Sequence, residues 1–243
     1  MAKKGTYIYE YPHPAVTADC VIFGYDGKSI KVLLIKRGAE KEASKHAFVG
    51  SWALPGGFLD VEKDRTIANT ASRELREETK LHLRPSEFKE VGCFSEKNRD
   101  ERERERVITI AHYALVKLTE VEGDTDAEKA EWYNLGDIPS LAFDHDQILR
   151  AAFMRLKRDI HFEPVGFELL PEVFTLPQLQ NLYESILETK FDRRNFANKM
   201  KHLGILDEVD DGTPRNGTRT PIKYRFNKDN YDELKRRGFQ LEF

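Results

Sequence analysis

The chain has 243 residues, 40% hydrophobic and 33% charged, enough for one large or two smaller domains with cores that need no covalent staple. Lys+Arg 39 against Asp+Glu 42 leaves a net charge of −3, which excludes a uniformly basic nucleic-acid coat but leaves room for a local basic patch. Two cysteines (Cys20 and Cys93), no apolar run of the roughly 18–20 residues a bilayer needs, and no apolar stretch after Met1 exclude a disulfide framework, a membrane partner and a signal peptide, so a cytoplasmic protein is expected.

Residues 1–12 are a polar lead-in. Apolar and β-branched residues over Ala15–Phe23 and Ile30–Ile35, joined at Asp26-Gly27, predict a hairpin. A polar stretch from Arg37 to Ser51 precedes Ser51-Trp52-Ala53-Leu54-Pro55-Gly56-Gly57-Phe58, an apolar run broken by Pro and two glycines. From Thr66 the pattern turns helical, with Ile67, Ala71, Leu75 and Thr79 at four-residue spacing. Strands are expected at Val91–Phe94, Val107–Val116 and Glu131–Asn134. Between the first two, Lys97–Arg106 reads as a solvated loop with the charge to close over an anion. Asp144 is placed to cap a helix whose apolar side is Ile148, Leu149, Ala152, Phe153 and Leu156. Strands and helices alternate without strict βαβ order, so the class is α+β.

The texture changes near Asp159–Pro171, where Pro164, Gly166 and Pro171 interrupt the pattern and divide the chain into 1–158 and 159–243. Thr175-Leu176-Pro177-Gln178 is a capping box with Pro in the first turn, followed by the stripe Leu179, Leu182, Tyr183 and Ile186. After a break at Thr189-Lys190-Phe191, Asp192 caps a second helix with Phe196, Met200 and Leu203 inward, and Gly204 ends it. Ile222, Tyr224 and Phe226 alternate with Lys223 and Arg225 on the opposite face of a strand. Helix, short turn, helix and β-hairpin make a winged helix-turn-helix.

Arg193, Arg194 and Asn195 open the second of these helices, with Lys199 a turn further on. That is where a recognition helix presents side chains to phosphates and base edges, Arg being able to pair with guanine and Asn with adenine. Asn216-Gly217-Thr218-Arg219-Thr220-Pro221 is the expected wing tip, placing Arg215, Arg219 and Lys223 within reach of phosphate or minor groove. Winged helices also serve as protein-contact domains, and Asp207, Glu208, Asp210 and Asp211 beside the wing are in keeping with that. The clustered basic residues favour a double-stranded DNA operator.

Glu74, Glu77 and Glu78 stand at i, i+3 and i+4, so their carboxylates share one helix face. Taken alone they read more simply as a solvated face on which Arg73 and Arg76 pair the glutamates. A hard divalent cation would turn their mutual repulsion into attraction. Gly56-Gly57 suits a loop whose backbone approaches another group closely. His112 in its strand reads as a satisfied core histidine and Trp52 as core packing, with adenine stacking the alternative. Arg37, after the second strand, is placed to face a phosphate, though a surface charge fits equally.

Leu54-Pro55-Gly56-Gly57-Phe58 followed by Arg73-Glu74-Leu75-Arg76-Glu77-Glu78 resembles the Nudix box, G-x5-E-x7-R-E-U-x-E-E-x-G-U with U aliphatic. The chain departs from it in three places. The interval from Gly57 to Arg73 is two residues longer; Arg65 stands where the first Glu belongs, with Glu62 and Asp64 nearby; and Lys80 replaces the late Gly. The resemblance implies an α/β/α sandwich. It also makes Glu74, Glu77 and Glu78 metal ligands and, with Arg73, catalytic residues, and an active site would take Mg²⁺, or Mn²⁺ in its place. Gly56, Gly57 and Arg37 are the expected ligand contacts.

The Nudix box together with Phe167-Glu168-Leu169-Leu170-Pro171, Phe174-Thr175-Leu176 and Asp192-Arg193-Arg194-Asn195-Phe196 resembles the Nudix-related transcriptional regulators, from about Tyr11 to Phe226. That resemblance implies a homodimer with a Nudix sensor for ADP-ribose or a sugar, regulating transcription as a repressor. The alternative is an active Mg²⁺-dependent ADP-ribose pyrophosphatase.

Overall fold

A computed structural model describes residues 10–38, 48–97, 99, 106–121, 123, 127–210 and 221–238. Strand β1 (Ala15–Tyr25) is buried from Thr17 onward on both faces, so each face must be covered by another layer. Val21, Phe23 and Tyr25 share one core with Ile148, Leu149, Ala152 and Leu156 of α2 (His145–Phe162). Ala18, Cys20 and Ile22 share the other with Ala71 and Leu75 of α1 (Ile67–Thr79). Strand β2 (Ile30–Arg37) divides in the same way, Val32 and Leu34 to the first core, Leu33 and Ile35 to the second. The expected α/β/α sandwich follows directly from this alternation.

The sheet runs β3 (Trp52–Ala53), β2, β1, β6 (Val107–Leu115), β5 (Lys89–Phe94), with β4 (Gly56–Phe58) paired to β1 and β7 (Ala127–Asn134) to β2. Among the described strand pairs of this sheet only β1–β6 is parallel. Strand β7 begins four residues before the expected Glu131, because β2 pairs with it out to Arg37↔Ala127 and recruits residues that carry no alternation of their own. The expected division at 158/159 falls inside α2. That helix runs on because Ile160, fully buried, continues its apolar stripe, and Glu163 closes it with its N–H on the Asp159 carbonyl at 2.8 Å. Asp144 holds the N-cap position of α2 but makes no side-chain capping bond; its carboxylate is taken by Arg99 instead.

The remainder builds a second, three-stranded sheet, β8 (Phe174–Thr175), β10 (Lys223–Phe226), β9 (Leu206–Val209), against α3 (Leu176–Leu187) and α4 (Arg193–His202). The capping box forms in both directions: the Gln178 N–H donates to Thr175 Oγ1 at 3.4 Å, and the Thr175 N–H to Gln178 Oε1 at 2.8 Å. Asp192 caps α4 through the Asn195 N–H at 2.8 Å. Leu179, Leu182, Tyr183, Ile186, Phe196, Met200 and Tyr224 fill this core, which continues into the α2 side of the sandwich. The tip of the β1–β2 hairpin meets α3, where Ser185 Oγ donates to the Lys28 carbonyl at 3.0 Å.

Beyond the expected two-stranded end lies a further helix, α5 (Lys228–Arg236), capped by Asn227 through the Asn230 N–H at 2.8 Å. It buries no residue fully. Among the described residues no helix is long and apolar enough to cross a membrane.

Candidate functional site

Thr66 caps α1 through the Asn69 N–H, and the inward stripe of Ala71 and Leu75 turns Glu74 and Glu78 toward β4. The Gly56 N–H donates to Glu78 Oε2 at 2.9 Å, tying the glycine loop to the last turn of α1. A Cβ on Gly56 would lie 2.4 Å from the Ala18 carbonyl oxygen and 2.7 Å from Asp19 Oδ1, and one on Gly57 would lie 2.4 Å from the Glu74 carboxyl carbon. Gly56 is there because only a residue without a side chain lets the backbones of β1 and β4 approach this closely, whereas at Gly57 the neighbour is the end of the Glu74 side chain. The helix ends on Lys80 in the left-handed region, φ 62°, the place the family pattern gives to Gly.

Arg73 organises the acids. Its Nε and Nη2 donate to the two oxygens of Asp64 at 3.2 and 2.8 Å, in a fork. Nη1 donates to Glu74 Oε1 at 2.6 Å and to Glu77 Oε2 at 3.4 Å, and Nη2 also reaches the Phe58 carbonyl at 2.9 Å. Arg65 is exposed, so the acid expected at that position is supplied by its neighbour Asp64, whose side chain is buried. Burial raises the Glu74 carboxyl pKa against the opposing pull of Arg73, while Arg73 lowers that of Asp64 despite its burial.

Oxygen-only donors suit a hard cation such as Mg²⁺. The present arrangement does not, because Arg73 bridges Glu74 and Glu77 while Glu78 holds the Gly56 N–H. Among the described residues no three His, Cys, Asp or Glu converge to hold a metal ion.

Beside Gly56 lies a buried polar cluster. Asp19, paired across from Gly56 in the β1–β4 ladder, takes Arg99 Nη2 at 3.4 Å, and Arg99 reaches Asp144 at 2.6 Å. His145 Nδ1 accepts the Leu54 N–H at 2.9 Å, and its Nε2 stands 3.7 Å from Asp19 Oδ1. Burial lowers the His145 pKa and favours the neutral ring. Arg99 is thus no solvated charge, as its run suggested. Arg37 lies over the Phe143 ring at 5.1 Å, with Phe48 edge-on to Phe143 at 4.8 Å. Trp52 packs edge-on against Tyr133 at 5.0 Å. His112 is buried, its Nδ1 3.1 Å from the Ile110 carbonyl oxygen and its pKa lowered by burial.

In the second unit Arg193, Arg194 and Asn195 are exposed on the first turn of α4, Lys199 is half-buried on the next, and Lys223 is exposed on β10. A cleft of about 190 Å³ between α3, α4 and β10 is lined by Gln180, Arg193, Lys201 and Pro221. Arg215, Arg219 and most of the wing tip lie outside the described residues. The turn into α4 is braced by Glu184, which the sequence reading missed. Its Oε1 accepts Gln180 Nε2 at 2.8 Å and the Phe191 N–H at 3.0 Å, and its Oε2 accepts Lys190 at 2.6 Å. The Lys190 and Gln180 hydrogen bonds hold its carboxyl at about 2.

Residues 13–153 match the NUDIX domain model and residues 166–226 the NrtR DNA-binding winged helix domain. The chain is 32% identical over 226 residues, 92% of its length and 86% of the relative's, to the ADPR responsive transcriptional repressor NtrR of Acinetobacter baylyi. The chain belongs to the Nudix-related transcriptional regulators. Over 147 residues, 60% of this regulator and 77% of the relative, it is also 39% identical to the ADP-ribose pyrophosphatase of Methanocaldococcus jannaschii.

Among solved structures the regulator is similar to Shewanella oneidensis NrtR complexed with a 27mer DNA (TM-score 0.71, 27% identity, covering 93% of this chain and 97% of that one). It is also similar to the NUDIX domain of the same protein complexed with ADP ribose (TM-score 0.53, 30% identity, 60% and 90%). The box residues and the Arg193–Asn195 segment thus sit in separate units of one regulator chain. Asp19, Arg99 and His145 escaped the sequence reading, although a lone acid within the buried run Ala18-Asp19-Cys20 is a signal in itself.

Proposed function

We propose that this regulator is an ADP-ribose-responsive transcriptional repressor of the cytoplasm, active as a homodimer on a palindromic operator. The observation that carries the reading is the exposed Arg193-Arg194-Asn195 turn of a winged helix joined to a Nudix domain, in a chain that aligns along 92% of its length with a repressor. In this reading Arg193, Arg194, Asn195, Lys199, Lys223, Arg215 and Arg219 contact DNA, and Gly56, Gly57 and Arg37 contact the ligand. ADP-ribose held at the Nudix crevice would change the placement of the two winged helices and so the half-site spacing they fit.

Fluorescence anisotropy on DNA from upstream of the protein's own gene tests it. The expected result is salt-sensitive, sequence-preferring binding that ADP-ribose releases. Binding that ADP-ribose leaves unchanged, or no preference over scrambled DNA, rejects it; release by a pentose instead makes the ligand a sugar.

A second reading, Mg²⁺- or Mn²⁺-dependent hydrolysis of ADP-ribose, is favoured by the 39% identity to a pyrophosphatase and by the retention of Glu74, Glu77 and Glu78 with Arg73. It requires Glu74 and Glu77 to leave Arg73 before a cation is held. Turnover of ADP-ribose with either metal, lost in Glu77→Gln and Glu78→Gln, would support it, and turnover that ignores those changes would reject it.

A further inference from the structure

Glu163 joins the two units through a single carboxylate. It stands at the end of α2, where Oε2 accepts Lys89 Nζ of edge strand β5 at 3.1 Å and Oε1 accepts Lys235 Nζ of α5 at 2.9 Å. Lys89 also lies 3.9 Å from Asp159, which accepts the Tyr113 hydroxyl at 2.7 Å and Arg155 Nε at 2.8 Å, and Arg155 Nη1 reaches the Glu90 carbonyl at 3.0 Å. The sheet end of the latch is thus held by several bonds, whereas α5 buries none of its residues. Behind the ion pairs opens a cavity of about 600 Å³, lined by Lys89, Glu163 and Lys235 together with Tyr113, Phe226 and Tyr231. Here α5 is joined to the Nudix sheet across open space by charge, where α3 is joined to α2 by apolar packing. Burial opposes ionisation of Glu163, but the two lysines prevail and lower its carboxyl pKa, so the latch is charged at neutral pH.

We propose that Glu163 is an interdomain latch, a positioning residue whose ion pairs to Lys89 and Lys235 fix the angle of the winged helix on the Nudix sheet and with it the half-site spacing that the protein reads. Charged groups that line the same cavities as Glu163 include Lys89, Arg155 and Asp159 from the sheet and α2, and Lys228, Asp232 and Lys235 from α5. Lys89, Glu163 and Lys235 are 37%, 38% and 53% exposed, so the pairs are screened by salt and individually modest. Their leverage comes from lying across a gap, where a small free energy redistributes angles instead of unfolding a core.

Glu163→Gln and Lys235→Gln in the full chain test the latch, the second being an exposed lysine whose loss leaves the fold intact. Distances are measured by spin labels on exposed Cys93 and on a site introduced by Asn198→Cys, in samples diluted with unlabelled chain. The wild type is expected to give a narrow distribution that broadens in both variants and in roughly 0.5 M salt. Operator affinity should fall about fivefold in the variants, and the preference between half-site spacings one base pair apart should shrink, with ADP-ribose affinity unchanged. Unchanged distances overturn the proposal, as do broadened distances with wild-type spacing preference. The DNA arm alone rests on the repressor reading: broadened distances in a protein that ignores operator DNA would retain the latch and reject that reading.

Discussion

Replacing Gly56 and Gly57 by alanine separates the two jobs of the glycine loop. An added Cβ at Gly56 meets backbone, the Ala18 carbonyl oxygen at 2.4 Å and Asp19 Cα at 3.0 Å, and neither can move without opening the β1–β4 ladder. Any shift that relieves the clash also stretches the 2.9 Å bond from the Gly56 N–H to Glu78. Overpacking of this kind costs typically 1–3 kcal/mol, and weakening a hydrogen bond to a charged group adds to it, so Gly56→Ala should cost about 3 kcal/mol. At roughly 2–4 °C per kcal/mol for a chain of this size, Tm falls by about 6–12 °C. At Gly57 the obstacle is the Glu74 carboxyl group, the free end of a side chain, which can swing away at the expense of its bond to Arg73. Gly57→Ala should therefore lower Tm by no more than about 3 °C while weakening ADP-ribose binding at least tenfold. Differential scanning calorimetry with titration calorimetry reads both. A Gly56→Ala protein as stable as wild type, or a Gly57→Ala protein less stable than the Gly56→Ala one, refutes the reasoning.

Lys80→Gly should stabilise the protein by roughly 0.5–1 kcal/mol in urea denaturation, since a lysine now occupies the left-handed cap at φ 62°. Glu184 has its carboxyl lowered to about 2, so its contribution is complete above its unfolded value of about 4.5 and is lost as pH falls toward 2. Glu184→Gln should flatten the acid side of the stability curve relative to wild type, and parallel curves between pH 5 and pH 2 would show the brace to be idle. Arg193→Ala and Arg194→Ala should each weaken operator binding across all sequences and reduce the salt slope by about 1 for each phosphate no longer neutralised, read by anisotropy at several salt concentrations. An unchanged slope in both would remove α4 from the phosphate backbone.

Much of this was legible because it rested on local periodicity. The apolar, β-branched run Ala15–Phe23 returns within β1, and the four-residue recurrence from Ile67 to Thr79 returns as α1 with its stated face inward. Thr175-Gln178 and Asp192 carry their capping chemistry in the sequence and use it. What stayed hidden depends on partners remote in the chain. Asp144 looks like a capping residue, but Arg99, 45 residues away, takes its carboxylate. In a run as charged as 97–106, nothing marks Arg99 as a residue that turns inward. Helix α5 was missed because it carries only Tyr231 and Leu234 as large apolar residues and is anchored by Lys235 to Glu163.

The fork between Arg73 and Asp64 bears on how such proteins are found. With two additional residues ahead of the helix, the counterion of the arginine has moved along the chain while keeping its address in space. A search that demands a glutamate at position 65 would discard this protein. One that asks which acid can be folded back onto the guanidinium would keep it. For this loop, spacing is the consequence of a bonding requirement, and insertions are tolerated to the extent that some carboxylate still meets it.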